Sequence, residues 1–269
     1  MMNAYRIEAG TAQHIGNRPQ QNDRTALFGG ARAPGYMMAV LADGVQGGAL
    51  ASEQVLHTSK QLFDEYVGGA VPDLQRLARL LRAISDETHA IIAMNPIAAS
   101  SEPQTTLLLL VLTPAGQAIW AHVGHSRLYR FSHTRCVQRS GDAAYVEHLI
   151  QNHGLAPAVA SKHHKSRMFA NTIGAHQRQP FLCVGVHEGL QAGDAFLLCS
   201  DGLWQFFTDA ELGAALARNS PRQAAELLIN KARERAADKG DNCSMAIVKL
   251  VAPAVAAPKY TVQEMGRAV

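Results

Sequence analysis

The chain has 269 residues, and 47% hydrophobic content supplies a core for one large domain or two small ones. Its net charge of +3 comes from 25 basic residues spread along the chain, without the basic stripe of a nucleic-acid binder. The longest apolar run, Leu107–Leu112, falls far short of the roughly 20 residues that span a bilayer. The first residues, MMNAYRIEAG, show neither a charged n-region nor an apolar h-region, so no export signal is expected. Cys136, Cys183, Cys199 and Cys243 are scattered without a CxxC pair, which fits a reducing compartment. A cytoplasmic monomer with neither nucleic-acid nor membrane partners is therefore expected.

Strand-like segments open the chain at Tyr5–Ala9 and Tyr36–Ala42. A helix is predicted from Ala49 to Tyr66, with Val55, Leu62, Phe63 and Tyr66 on one face. Pro72 stands where the first residue of a second helix belongs, and Leu74, Leu77, Leu81, Ile84 and Ile91 continue its apolar face. Thr105–Thr113, Gln117–Val123 and Arg127–Phe131 read as short strands, the first two joined by a Pro-Ala-Gly hairpin turn. A helical patch is expected near Tyr145–Gln151, followed by a solvated SKHHKS loop holding His163 and His164. Ala195–Ser200 is a buried strand. Asp209 is the expected N-cap of the next helix, and Ser220, with Pro221 behind it, caps another. Cys243–Val251 closes as a strand, and residues 252–269 read as a Pro/Ala-rich flexible tail behind a domain of residues 1–251. Strands grouped with strands and helices with helices argue an α+β fold.

Two places share one design. MMAVLAD at Asp43 and AFLLCSD at Asp201 are apolar strands ending in Asp-Gly. A carboxylate at a buried strand end is costly unless a cation or hydrogen bonds neutralise it. Glycine behind it permits a sharp turn and leaves a carbonyl open to a ligand. Alone, each Asp-Gly is more often an ordinary turn. Together, on neighbouring strands, the two acids would need a metal between them. Asp23 and Asp241 add further carboxylates, and an all-oxygen set selects Mg²⁺ or Mn²⁺ over zinc. Arg18, five residues before Asp23, suits a phosphate dianion, although a lone arginine is usually a surface residue. His122 and His125, three apart on one strand, would point to opposite faces and could not chelate one ion.

The order of these pieces (Arg18 to Asp23, VLAD43-G44, Thr105-Thr106-Leu107, VGHSR127, LLCSD201-G202, Asp241-Asn242) resembles the metal-dependent protein phosphatase family, type 2C class. The likeness runs from about residue 10 to 250 and reads like the compact bacterial members, with NTIG174 as a looser match. It implies a four-layer α-β-β-α sandwich of two antiparallel sheets flanked by helices. It also implies a binuclear Mn²⁺ or Mg²⁺ site whose activated water hydrolyses phosphoserine and phosphothreonine in proteins. Asp43 would bridge the ions, the Gly44 carbonyl would complete one, and Asp201 with Asp241 would hold the other. Asp23 would orient metal-bound water, and Arg18 would bind the phosphate. The substrates would be phosphoproteins of an opposing serine/threonine kinase, in signal transduction.

Three departures from the family pattern stand out. The run from Asp43 to Ser52 is a few residues shorter, so the loop at the metal site must turn tightly. Val45 offers no proton where some eukaryotic relatives carry a histidine acid. His125 replaces the Asp of a Gly-Asp-Ser motif that helps hold a third ion in bacterial relatives, so any third ion is expected to be weak. A catalytically silent regulatory or binding module on the same fold is the competing reading. Retention of Asp43, Asp201 and Asp241 argues against it, since buried acids are expensive to keep without a metal.

Overall fold

Two five-stranded antiparallel sheets lie face to face, each covered on its outer side by helices. The computed structural model describes residues 5–45, 48–94, 103–140, 150, 156, 171–176, 179–237 and 239–253. In chain order the strands are β1 (Arg6–His14), β2 (Arg24–Gly30), β3 (Ala33–Ala42), β4 (Gly44–Val45), β5 (Gln104–Thr105) and β6 (Leu107–Leu112). They continue as β7 (Gln117–Val123), β8 (Arg127–Ser132), β9 (Arg135–Arg139), β10 (Cys183–Glu188), β11 (Asp194–Cys199) and β12 (Cys243–Val251). The helices are α1 (Ala49–Glu65), α2 (Leu74–Ala93), α3 (Asp201–Trp204), α4 (Asp209–Arg218) and α5 (Pro221–Ala236). One sheet has the order β1-β12-β11-β8-β9 and the other β10-β7-β6-β3-β2, with β4 and β5 forming a small separate ladder. The α+β expectation holds.

The strand pleat explains the layers. In β6, Leu107, Leu109 and Val111 face the helices α1 and α2, where they meet Val55, Phe63, Leu77, Leu81 and Ile84. Leu108, Leu110 and Leu112 face the other sheet and pack with Phe196, Leu198, Ala246 and Val248. A strand buried on both faces has no polar side, which is why this segment reads as six consecutive apolar residues. On the far side of the second sheet, Tyr129, Phe131, Leu197, Met245 and Ile247 pack under Leu212, Leu216 and Leu228 of α4 and α5.

Several sequence expectations shift by a residue or more. Pro72 is not the first helical residue; Asp73 caps α2 by accepting from the Gln75 and Arg76 amides. Thr208, not Asp209, caps α4, in a reciprocal capping box with Glu211. Ile91 faces solvent and its neighbour Ile92 takes the buried position. Strand β2 went unread because its residues are all only partly covered or exposed, so the strand has no apolar stripe. Ser220 caps α5 as expected, with Pro221 at its first turn. The helix near Tyr145–Gln151 (apart from Ile150), the SKHHKS loop and all but the first two tail residues lie outside the described residues.

Candidate metal centre

The two Asp-Gly ends do meet, though not as strand neighbours. β3 and β11 belong to different sheets, and the sandwich stacks their ends across the core. Asp43 Oδ2, Asp201 Oδ2 and His125 Nε2 converge at one end of the sandwich: the imidazole nitrogen lies 3.2 Å from Asp43 and 3.8 Å from Asp201. Ligand atoms of the three residues all fall within 4.8 Å of one another.

The backbone around Asp43 is clamped. Its N–H donates to Thr106 Oγ1 at 3.0 Å, while its carbonyl accepts from the Thr106 amide and the Thr105 hydroxyl. Thr106 in turn shares a hydrogen bond with Ser126 at 2.8 Å. Gly44 is required by crowding, since a Cβ there would stand 2.6 Å from the carbonyl oxygens of both Asn22 and Gly48. Gly202 is tighter still, with Asn242 O only 2.0 Å from where its Cβ would be.

His125 is not on a strand. β7 ends at Val123, and Gly124, at a φ of 93° that suits glycine, turns the chain so that His125 aims at the acids. This corrects the expectation that His122 and His125 sit on opposite faces of one strand. Trp204 Nε1 holds the turn by donating to the His125 carbonyl at 3.1 Å, and Arg127 stacks on the indole at 3.5 Å.

Arg18 and Asp241 stand at the pocket mouth, joined by two bonds of 2.8 and 2.6 Å from Nε and Nη2. The pairing pushes the guanidinium above its ordinary pKa. Both Asp241 oxygens are thus engaged by Arg18, and the third member of the close cluster is His125 instead. A pocket of about 260 Å³ is bounded by Arg18, Asn22, Asp43, Gly44, Val45, His125, Asp201, Asp241 and Asn242. Asp23 lies behind it, 1% exposed, with Oδ2 lacking a hydrogen-bond partner.

Asn22 went unread in the sequence, and Asn242, though part of the last motif, had no role assigned to it. The Asn242 side chain accepts from the Asn22 amide and donates to the Ile15 and Gln20 carbonyls, fixing the loop that carries Arg18. Asparagines in polar loops give no signal of this kind, because the bonds span more than 200 residues of chain.

The acids strain against one another. Burial, reinforced by the charge of Asp43, raises the Asp201 carboxyl to about 6. The same two causes hold Asp23 well above the ordinary carboxylate range. Burial draws His125 down, but its bond to Asp43 and the charges of Asp43, Asp201 and Asp241 outweigh this and raise it. A divalent cation would relieve this crowding, and the donor set fits one: converging carboxylates, an unpartnered buried oxygen on Asp23, and a glycine cradle.

No protein-family model matches the chain. A serine/threonine protein phosphatase of Mycobacterium tuberculosis, PstP, is 29% identical over 214 residues, 78% of this chain. The chain spans 39% of the length of that relative. The protein phosphatase PhpP of Streptococcus pneumoniae is 27% identical over 222 residues, covering 80% of this chain and 87% of its own. Among solved structures, the S. agalactiae serine/threonine phosphatase superimposes with a TM-score of 0.72 at 21% identity, over 91% of this chain and 99% of that one. The catalytic domain of PstP in complex with two manganese ions superimposes at 0.66 and 25% identity, over 91% and 98%. These likenesses support the resemblance to the metal-dependent protein phosphatase family. The four-layer sandwich implied by the sequence motifs is the observed one, and the fold explains why the motifs keep their order: each marks a strand end or turn at one edge of the sandwich. Among the described residues, no helix is long and apolar enough to cross a membrane.

Proposed function

We propose that the chain is a protein phosphatase that hydrolyses phosphoserine and phosphothreonine at a site for two Mn²⁺ or Mg²⁺ ions. The observation that carries this reading is the convergence of Asp43 and Asp201 from opposite sheets into one pocket beside Arg18. Asp43, the Gly44 carbonyl, Asp201 and Asp241 would hold the ions, and any third ion, at the His125 position, would bind more weakly. Bound ions would lower the pKa of a coordinated water and draw off charge from the transferring phosphoryl group. Asp23, buried behind the pocket, would accept a hydrogen bond from that water and fix its direction. Arg18 uses one N–H on each of Nε and Nη2 for Asp241, and its side chain is 59% exposed. The remaining N–H donors face the pocket mouth and solvent, where they would hold the phosphate dianion. Val45 supplies no proton, so the leaving alkoxide would take one from water.

The substrate class implied is a phosphoprotein made by an opposing serine/threonine kinase. Four free cysteines agree with a reducing, cytoplasmic setting, and we propose that the protein acts there as a monomer in signal transduction. The test is phosphate release from a phosphothreonine peptide. Turnover should require millimolar Mn²⁺ or Mg²⁺ and stop with EDTA. Undiminished turnover in chelated buffer would rule out the two-ion mechanism, and absent turnover with metal bound would favour the silent module.

A further inference from the structure

The pocket contains one ligand that the all-oxygen expectation does not include. We infer that His125 Nε2 is a ligand of an ion it shares with Asp43 and Asp201, and that this nitrogen biases the site towards transition metals such as Mn²⁺ over Mg²⁺. The inference rests on the metal-dependent reading above and names what that site selects.

Spacing is the first support. Ligand atoms held about 2.0–2.2 Å from one ion stand roughly 3–4 Å from one another. The imidazole nitrogen is 3.2 Å from Asp43 Oδ2 and 3.8 Å from Asp201 Oδ2, so it meets that spacing against both acids, and ligand atoms of the three residues lie within 4.8 Å of one another. Orientation is the second. His125 is 3% exposed, and its backbone is held by the Gly124 turn and the Trp204 bond to its carbonyl, with the neighbouring Ser126 tied to Thr106. A buried side chain on a held backbone suits a metal site, because a mobile ligand loses entropy on binding. The third support is substitution within the site. The close trio of donor atoms is Asp43, Asp201 and His125, whereas Asp241, whose oxygens pair with Arg18, stands outside that trio and would serve the other ion. Imidazole suits zinc, copper, iron and nickel, and carboxylates suit both Mg²⁺ and Mn²⁺; of these two, the less hard Mn²⁺ gains more from a nitrogen donor. Exchanging carboxylate for imidazole also removes one negative charge from a cluster where charges already crowd.

The experiment is pulsed electron paramagnetic resonance of Mn²⁺ bound to the full chain, with binding isotherms for Mn²⁺ and Mg²⁺. Nitrogen hyperfine coupling is expected in the parent and should vanish in His125→Asp. The variant's preference for Mn²⁺ over Mg²⁺ should fall at least about tenfold, the scale on which even outer partners of a ligand tune affinity. His125→Asn, which keeps the size and removes the ring, should also lose the coupling; circular dichroism confirms that both variants fold. Bound Mn²⁺ without nitrogen coupling would overturn the ligation, leaving His125 as a hydrogen-bond partner of Asp43 and the phosphatase reading untouched. No bound Mn²⁺ at all would overturn both.

Discussion

Asp43 and Asp201 follow apolar strands and precede glycines, yet the two ends behave differently. After Asp43 the chain stays extended: Gly44–Val45 forms β4 against β5, and Thr105 and Thr106 clamp the backbone. After Asp201 the chain coils at once into α3, and the Asp201 side chain is more open, 23% exposed against 11% for Asp43. Asp43 is therefore the more tightly held member and Asp201 the more open one. The lesson is that Asp-Gly does not itself make a site. Stacking of two sheets brings the ends together, and the neighbours of each end decide how firmly its carboxylate is held.

Removing either carboxylate should break the comparison most strongly. Asp43→Asn and Asp201→Asn are each expected to cost at least about a hundredfold in kcat, since each deletes a ligand. The larger loss should fall on Asp43, whose position is fixed and central. Steady-state hydrolysis of p-nitrophenyl phosphate over a metal titration checks this; equal, small losses would mean that neither end carries the chemistry.

The glycines offer a sharper contrast in stability. A methyl on Gly202 would meet the Asn242 carbonyl oxygen at 2.0 Å, whereas one on Gly44 meets backbone oxygens at 2.6 Å. Gly202→Ala should lower stability by about 1–3 kcal/mol or more. Gly44→Ala should cost less, because the misfit to be relieved is smaller. Thermal melts compare them, with roughly 2–4 °C expected per kcal/mol in a domain of this size.

Asp201 also separates the two ends by pH. Its carboxyl is raised from 3.8 to about 6, so the folded chain keeps a proton that the unfolded chain has lost between those values. Stability from this group falls as pH rises through that window, and above it the charged form burdens the fold. In EDTA, Asp201→Asn should therefore gain on the order of 2 kcal/mol at pH 8 and little near pH 4. With Mn²⁺ present the gain should disappear, because the ion neutralises the parent's charge.

The smallest effect concerns Arg18. Arg18→Ala should raise KM for small phosphates by about threefold to tenfold and change kcat less, since its contact serves ground state and transition state alike. An unchanged KM would withdraw Arg18 from the phosphate site and leave it as the partner of Asp241.

Much of this was legible in the sequence for a physical reason. Strands buried on both faces, such as β6 and β11, must be apolar throughout, and buried acids at their ends stand out against that background. The helices α1 and α2 announce themselves by period. What could not be read was any contact made across distant chain. That the Asp-Gly ends meet by stacking across the core, rather than as strand neighbours, depends on the whole sheet order. His125 looked like a strand residue because nothing local shows that β7 stops at Val123. Likewise, the capture of Asp241 by Arg18 is set by the Asn242 bonds to the Arg18 loop, which no spacing rule predicts.

The central claim is that the two sheets present their carboxylates to divalent ions in one pocket. Anomalous diffraction at the manganese edge, from crystals equilibrated with Mn²⁺, tests it most directly. The account predicts strong peaks between Asp43 and Asp201, absent from Asp43→Asn crystals. Manganese found only elsewhere on the surface, in a protein that still hydrolyses phosphothreonine, would contradict it.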